Sequence, residues 1–400
     1  MTAVHFLERA VSVTLQAGLI VAVTYWLCRG TDDERTRCRL WSLCSLLLMA
    51  DLAAAFLLPH LRLFQPWTVV STTMVSELFV LERQAGRVVF VVWLCGALGA
   101  AGLLAAQSVR MLRFLRSCQP LDENLLPPLA DDTSALPSAA VDRQRTGIVP
   151  ILLQSPALPV PVCWQWHRPC IVLPSDLLSL SDRDLTFILR HEYEHLRTGH
   201  PLQVFLQRLV EIVFWFHPMV WWASRQAALS REFLCDDAAI GEGGDVASYL
   251  RTMVRLVERF EPGRDPAPGV LSFGGRTHMI VERSDRLARR AEQTSQSDEH
   301  SPFQRPGPRR PAWLRVAAQT GLAVLAMSVS VPVNVTASPR SVWSPWPTWS
   351  AAALHDVGVT VRDYEVYDRR LEIQDLIEHH AARGAGHPRN AGQNRGPVSP

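Results

Sequence analysis

The chain has 400 residues, enough for two or three domains, and its 40 basic and 38 acidic residues give a formal net charge of +2. A balance so close to neutral lacks the basic excess of nucleic-acid-binding proteins, so we expect no direct contact with nucleic acid. The hydrophobic fraction of 48% is ordinary for a globular protein. The distribution of the apolar residues along the chain is not ordinary.

Four long apolar stretches lie at residues 10–28, 40–58, 88–109 and 316–335. About 20 apolar residues are enough to cross the roughly 30 Å hydrocarbon core of a bilayer as a helix. Within them, Asp51 alone carries a formal charge. A carboxylate there either serves a function or pairs with a polar neighbour in the helix bundle. The sequence therefore predicts a mainly α, multi-pass protein of the cell membrane with four transmembrane helices.

Arginine is concentrated beside these stretches, at residues 29–39, 110–116 and 305–315. Loops rich in basic residues remain on the cytoplasmic side of a membrane. The N-terminus, the loop 59–87 and the C-terminus are then extracytoplasmic. None of the eight cysteines lies in those outer segments, so no disulfide framework is expected.

These features divide the chain into four predicted regions. They are a membrane region with three helices at 1–116, a cytoplasmic domain with flexible linkers at both ends at 117–312, a fourth transmembrane helix at 313–335, and a short, partly disordered extracytoplasmic tail at 336–400.

The cytoplasmic region contains the sequence His191-Glu192-Tyr193-Glu194-His195. Leu185, Ile188 and Leu189 precede it at helical spacing, so residues 184–197 are predicted to form one helix. Histidines four residues apart share one helix face and can bind one Zn²⁺ ion, while the neighbouring glutamate can deprotonate a water on the open side of that ion. We therefore predict His191 and His195 as metal ligands and Glu192 as the general base. The alternative is an amphipathic helix with solvated polar residues.

A catalytic zinc ion needs a third protein ligand. The metzincin pattern would place glycine at 198 and histidine at 201, but Thr198 and Pro201 occupy those positions. Glu232 is the better candidate, because it lies on a second predicted helix, 221–239, with Asp236 one turn further on the same face. Asp236 would accept the N–H of a ligand histidine and fix its tautomer. The alternatives are that both acids are solvated, or that the nearby Cys235 is a thiolate ligand.

This region resembles the membrane metallopeptidases of the BlaR/MecR antibiotic-sensing type. The resemblance covers about residues 1–335 and is carried by Ser155-Pro156, the segments 168–174, 191–195 and 215–221, Arg225, Arg231-Glu232 and Cys235-Asp236. It implies a gluzincin-like α+β metallopeptidase domain in which Glu232 is the third zinc ligand. Family members often carry an acid where this chain has His200, so the role of that position stays open. Arg231 and His200 are candidates for transition-state or structural support.

Two further segments bear on the peptidase. The runs 151–153, 160–166 and 170–173 are interrupted by prolines and are predicted as short strands near a sheet edge, where a peptide substrate could add as a strand. Residues 201–222 are unusually apolar and form either a helical hairpin in the soluble core or an element at the membrane surface, with Trp215, Trp221 and Trp222 at headgroup depth.

The chain contains no lysine, so the Ser-x-x-Lys chemistry of the penicillin-binding sensor domain found in BlaR/MecR sensors is not expected here. By resemblance, we expect an endopeptidase that cleaves a cytoplasmic winged-helix repressor in response to an extracytoplasmic signal, together with a cut in its own linker. The alternatives are a membrane quality-control metalloprotease and a signalling scaffold with a structural zinc ion. The oligomeric state stays open, with a dimer among the alternatives.

Overall fold

The structure is a computed structural model that describes residues 3–62, 72–121, 150–166, 168–241, 244–258, 276–297, 311–335, 342–344 and 346–359. The fold is mainly helical. The helices are α1 (Ala3–Arg29), α2 (Glu34–Leu57), α3 (Thr72–Ser117), α4 (Asp182–Arg197), α5 (His200–Val213), α6 (Pro218–Ile240), α7 (Val246–Glu258), α8 (Arg276–Ser297), α9 (Ala312–Met327) and α10 (Thr348–Asp356). Most of the predicted linkers, at 122–149 and 298–310, and of the tail, at 360–400, lies outside the described residues.

Six short strands accompany the helices within the described residues. They are β1 (Leu61–Arg62), β2 (Gln119–Pro120), β3 (Ile151–Ser155), β4 (Val162–Trp164), β5 (Cys170–Pro174) and β6 (Val329–Ser330).

Three of the described helices are long and apolar enough to cross a membrane: α1, α2 and the part of α3 from Glu77 to Ser117. The fourth predicted span differs from the structure. Helix α9 ends at Met327 and is followed by β6, so the prediction of one helix over 316–335 is wrong in its second half. The β-branched residues around Val329 and the proline at 332, which has no backbone N–H, favour extended chain there.

Contacts divide the chain into two compact units. The first comprises Met1–Leu15, Leu52–Val92 and Leu325–Pro400. In it β1 and β6 pair in parallel, with Leu61 opposite Val329. Buried Glu8 accepts a hydrogen bond from Ser330 and lies 3.5 Å from Arg62 Nε, so a buried ion pair ties this small sheet to α1.

The second unit comprises Gln16–Asp51 and Trp93–Val324 and contains a four-stranded sheet in the order β2-β3-β5-β4. Strand β3 is parallel to β5, whereas β2 and β4 pair antiparallel with their neighbours. All of β5 is buried. The expectation that each predicted strand lies near an edge is wrong for β3, which has β2 and β5 as neighbours, and for β5, which has β3 and β4 as neighbours. Pro174 is the last residue of β5, so the missing N–H does not interrupt the ladder.

Helix α4 packs its apolar face on this sheet. Leu185, Ile188 and Leu189 form one buried cluster with Ile171 and Leu173 of β5. The helix begins where the Ser181 side chain accepts a hydrogen bond from the backbone N–H of Asp184, a standard N-cap. Burying these leucine and isoleucine side chains stabilises the helix by about 1.5 to 3 kcal/mol each. The polar side of α4 is thereby held facing α6.

The corner between α5 and α6 packs on the long apolar helices. Trp215 donates a hydrogen bond to the carbonyl of Trp93 in α3, at 3.2 Å. A Cβ atom added at Gly96 would lie 2.2 Å from the Trp215 ring, so glycine is required for this close approach.

Trp222 contacts the other two long apolar helices, α1 and α2. Its ring packs edge to face on Tyr25 of α1, with 5.0 Å between ring centroids, and on Trp41 of α2, at 5.8 Å. Residues 201–222 thus belong to a helical hairpin formed by α5 and α6, and this hairpin also contacts the long apolar helices α1, α2 and α3. The depth of its tryptophans in a membrane stays a prediction.

Asp51 lies on α2 with its side chain buried. Neither carboxylate oxygen has a hydrogen-bond partner within the part of the chain that the structure describes. Pairing with a polar neighbour was one of the two alternatives for Asp51, and the described residues do not provide a hydrogen-bond partner.

Candidate metal centre

Helix α4 places His191 and His195 one turn apart, as predicted. Their Nε2 atoms lie 3.3 Å from each other, and both rings face the same point. His191 is buried and His195 is half-buried. The helix therefore presents two imidazole nitrogens to one location.

Glu232 of α6 adds a carboxylate to the two imidazoles, and zinc accepts both types of ligand. Its Oε2 lies 3.5 Å from His191 Nε2, and its Oε1 lies 3.7 Å from His195 Nε2. Ligand atoms arranged tetrahedrally at about 2.0 to 2.2 Å from one Zn²⁺ ion are roughly 3.3 to 3.6 Å apart. The three side chains therefore lie at roughly the mutual spacing of zinc ligands, with a different carboxylate oxygen of Glu232 facing each ring.

Cys235 also lies near the two histidines, since its sulfur and one nitrogen of each ring lie within 4.8 Å of one another. Burial and the charge of Glu232 hold the pKa of the Cys235 thiol well above its usual range. A metal ion deprotonates a thiol that coordinates it, so Cys235 stays an alternative ligand to Glu232. Its sulfur is 3.5 Å from His200 Nδ1, which gives the thiol a partner other than a metal.

Asp236 and Tyr249 lie behind the His191 ring. Asp236 Oδ1 is 3.3 Å from His191 Nδ1, and the Tyr249 hydroxyl lies 3.1 Å from the same nitrogen. Tyr249 in turn donates a hydrogen bond of 2.7 Å to Asp236. An acceptor at Nδ1 places the proton there and leaves Nε2 of the neutral ring free for a metal. Asp236 thus occupies the position predicted from its spacing.

Arg283 of α8 binds the carboxylates of Asp236 and Glu232, and this residue was not predicted from the sequence. Its Nε donates to Asp236 Oδ2 at 2.9 Å, and its Nη1 lies 2.9 Å from Glu232 Oε2. Although burial opposes it, the Arg283 guanidinium lowers the pKa of Asp236 to about 2 and holds that of Glu232 well below its usual range. Both acids are therefore ionised. The segment 282–290 is rich in charged residues, and this composition does not show that one arginine points inward.

The His195 ring is held from behind by His200. The two Nδ1 atoms are 2.9 Å apart, which places His200 on the side of the ring away from Glu232. Gly199, at φ 70°, allows the sharp turn between α4 and α5 that brings His200 back against α4. Burial and the neighbouring His195 lower the pKa of His200 to about 2, so it is neutral. His200 therefore supports the His195 ring from the side away from Glu232.

Arg231 contributes a contact between helices. Its guanidinium donates a hydrogen bond of 2.7 Å to Gln207 of α5, and the side chain is buried. This contact joins α6 to α5 and therefore fits structural support, which is one of the two roles predicted for Arg231.

Glu192 lies beside the edge strand β4. The Cys163 thiol is 3.0 Å from Glu192 Oε2 and 3.2 Å from its backbone carbonyl oxygen, and it can donate to either. Cys163 therefore contacts the predicted general base.

Two comparisons with known proteins show what this chain is similar to. The family model described as "BlaR1 peptidase M56" matches residues 68–283, which include α4, α6 and Arg283. A segment of 90 residues is 34% identical to "Regulatory protein BlaR1" of Bacillus licheniformis. This segment covers 22% of the present chain and 15% of the Bacillus protein, so the chain matches only a small part of that relative.

Proposed function

The chain belongs to the BlaR1 peptidase M56 family, and we propose that it is a membrane-embedded zinc endopeptidase whose ion is held by His191, His195 and Glu232. The convergence of these three side chains is the observation that carries the proposal. Two histidines and one carboxylate leave a fourth tetrahedral position for water, as in catalytic zinc sites. A purely structural zinc ion would normally have four protein ligands.

In this proposal Glu192 is the general base. It takes a proton from the attacking water and later passes it to the leaving amine. A zinc ion at the three ligands would polarise the scissile carbonyl and lower the pKa of the bound water. Asp236 and His200 hold the ligand rings with Nε2 directed at the centre. Cys163 keeps the Glu192 carboxylate in place through a thiol hydrogen bond.

We assign peptide binding to the outer edge of β4. This strand is at the end of the sheet order, and its Cys163 contacts Glu192, so a peptide added along this edge would pass beside the proposed base. Backbone hydrogen bonds to an edge strand bind extended peptides with little dependence on sequence. The specificity of cleavage then depends on pockets for the substrate side chains.

The proposed substrate is a cytoplasmic regulator, namely a winged-helix repressor, with a second cut in the enzyme's own linker. Support comes from the name of the Bacillus relative, which describes a regulatory protein. The arginine clusters beside the apolar stretches support a multi-pass protein with a cytoplasmic peptidase and extracytoplasmic termini. Membrane lipid would then surround the apolar helices, and the outer segments would receive the inducing signal.

Comparative proteomics of cells that carry the native chain or Glu192→Gln tests this function. The variant should keep its zinc ion, while cleavage falls by about 10²- to 10⁴-fold because the general base is lost. Glu194→Gln is the matched control, since Glu194 is on the same helix but pairs with Arg197.

One defined product that requires Glu192 supports regulatory proteolysis. Many products from denatured chains would instead indicate a quality-control protease. Cleavage that persists in Glu192→Gln, or a zinc-loaded native protein that cuts nothing, would overturn the mechanism and leave the scaffold alternative.

A further inference from the structure

One face of α2 is polar although the helix is mostly apolar. Glu34, Cys38 and Ser42 follow one another at intervals of four residues and therefore lie on the same side of the helix. Glu34 and Cys38 are 6% and 5% exposed, and Ser42 is half-buried. We call these three residues the polar face of α2.

Cys38 contacts the His200 ring on the side opposite to His195. Its sulfur lies 3.6 Å from His200 Nε2, while His200 Nδ1 faces His195 Nδ1. A neutral imidazole carries one N–H and one acceptor nitrogen. If His195 binds a metal through Nε2, its proton is on Nδ1 and is donated to His200 Nδ1. The proton of His200 must then be on Nε2, where Cys38 provides the acceptor.

Ser42 connects the same face to the end of α4. Its hydroxyl donates a hydrogen bond of 2.7 Å to Gln203 Oε1 in α5. Gln203 Nε2 in turn donates to the carbonyl oxygen of Thr198, at 2.9 Å, directly after the last turn of α4. The position of Ser42 therefore affects the turn that carries His200.

Glu34 connects the face to α6 through α8. Its Oε1 lies 3.5 Å from Arg286 Nε, and Arg286 donates two hydrogen bonds, at 2.9 and 2.7 Å, to Asp237. Asp237 directly follows Asp236. The polar face thus reaches both helices that supply the proposed ligands.

We propose that the polar face of α2 positions the metal ligands, with Cys38 acting as a positioning residue that orients the His195 ring through His200. This inference rests on the proposed metal site and adds a means of regulating it. Helix α2 is one of the helices long and apolar enough to cross a membrane. Because the three residues belong to one rigid helix, its rotation or axial shift moves all three contacts together and changes the orientation of the ligands.

The test measures zinc affinity of the full chain in detergent by competition with a chromophoric chelator. Outer partners of metal-bound histidines typically contribute 10- to 100-fold to affinity, so Cys38→Ala should raise the zinc dissociation constant about tenfold. Cys38→Ser keeps an acceptor and should restore affinity to within about threefold of the native value. Cys44→Ala is the matched control, because Cys44 is similarly buried on α2 but lies on another face.

A double-mutant cycle and a spectrum separate positioning from general destabilisation. In a His200→Ala background, Cys38→Ala should cause no further loss, because the cysteine acts through the histidine. The ligand-field bands of the Co²⁺-substituted protein should shift in Cys38→Ala and not in Cys44→Ala.

Equal losses in Cys38→Ala and Cys44→Ala, an unchanged Co²⁺ spectrum in Cys38→Ala, or no rescue by serine would overturn the inference. If Cys38→Ala does not fold, the Cys38→Ser variant tests the inference by itself. A native-like zinc affinity and Co²⁺ spectrum support the inference, and a tenfold loss of zinc affinity overturns it. A native chain whose zinc affinity does not depend on His191 or Glu232 would instead overturn the proposed function.

Discussion

The two proposed histidine ligands are one helical turn apart, yet different surroundings hold their rings. His191 is backed by Asp236, Tyr249 and Arg283, a charged network supplied by α6, α7 and α8. His195 is backed by neutral His200, which in turn contacts Cys38 of α2. The first set belongs to the peptidase helices alone, whereas the second extends to an apolar helix outside them.

This difference indicates a division of roles within one site. A charge-assisted network in a buried setting holds its members strongly, and it loses much when one member is removed. A neutral chain of hydrogen bonds is weaker and is easier to shift. The His191 side therefore fixes the centre, and the His195 side is where a movement of α2 could change it.

Of the substitutions that test the two sides of the site, Asp236→Asn should reduce zinc affinity the most. Zinc affinity should fall by about 10- to 100-fold, because the amide no longer fixes the proton of His191 on Nδ1 and no longer balances Arg283. Chelator competition measures the loss, with exposed Asp245→Asn as the control. Affinity within twofold of native would show that the charged side does not orient the ligand.

Zinc affinity should also depend on pH. Of the two proposed histidine ligands, only His191 should cause this dependence. Although burial opposes it, Asp236 and Glu232 raise the pKa of His191 in the metal-free protein to about 9. Burial lowers the pKa of His195. Below pH 9, zinc must therefore displace a proton from His191, and affinity should fall about tenfold for each pH unit.

Calorimetry in buffers of different ionisation enthalpy should detect release of about one proton per zinc ion at pH 7.5, and less above pH 9. Asp236→Asn should reduce this release, because it removes a group that raises the pKa of His191. The raised pKa of His191 also affects the stability of the metal-free fold. Protonation of His191 stabilises this fold fully below pH 6.5, the ordinary pKa of histidine, and the stabilisation is lost as the pH rises through 9. Zinc binding without proton release at pH 7.5 would contradict the charged environment of His191.

His200→Ala should have the smallest effect, a loss of up to about tenfold in zinc affinity, because the hydrogen bond that it removes joins two neutral rings. Proton release at pH 7.5 should stay near one, since His191 is untouched. The same chelator and calorimetric measurements apply to this variant. A loss larger than that of Asp236→Asn would reverse the proposed order of the two sides.

Much of the site follows from local spacing. The leucines before the motif predict helix α4, and the four-residue interval places His191 and His195 on one face. Glu232 and Asp236 were predicted by the same interval on the second helix, which begins at Pro218, slightly before its predicted start. The strands at β3, β4 and β5 were also predicted, although the inner positions of β3 and β5 were not.

The supporting residues could not be found in this way. Arg283, Tyr249, Cys163 and Cys38 are each far from their partners in the chain, and nothing in their local sequence marks them. An arginine in a charged helix is usually solvated, and a cysteine in an apolar helix is usually a small buried residue.

Periodicity and length are local properties of the chain, so they were enough to predict the helix face with the two proposed histidine ligands, the second acidic helix and the apolar stretches. The groups that hold the His191 and His195 rings, and the fact that one of these groups comes from α2, became visible only in the packed structure. Those contacts depend on how separate helices pack, and the relative placement of distant segments is not encoded in the spacing of either one.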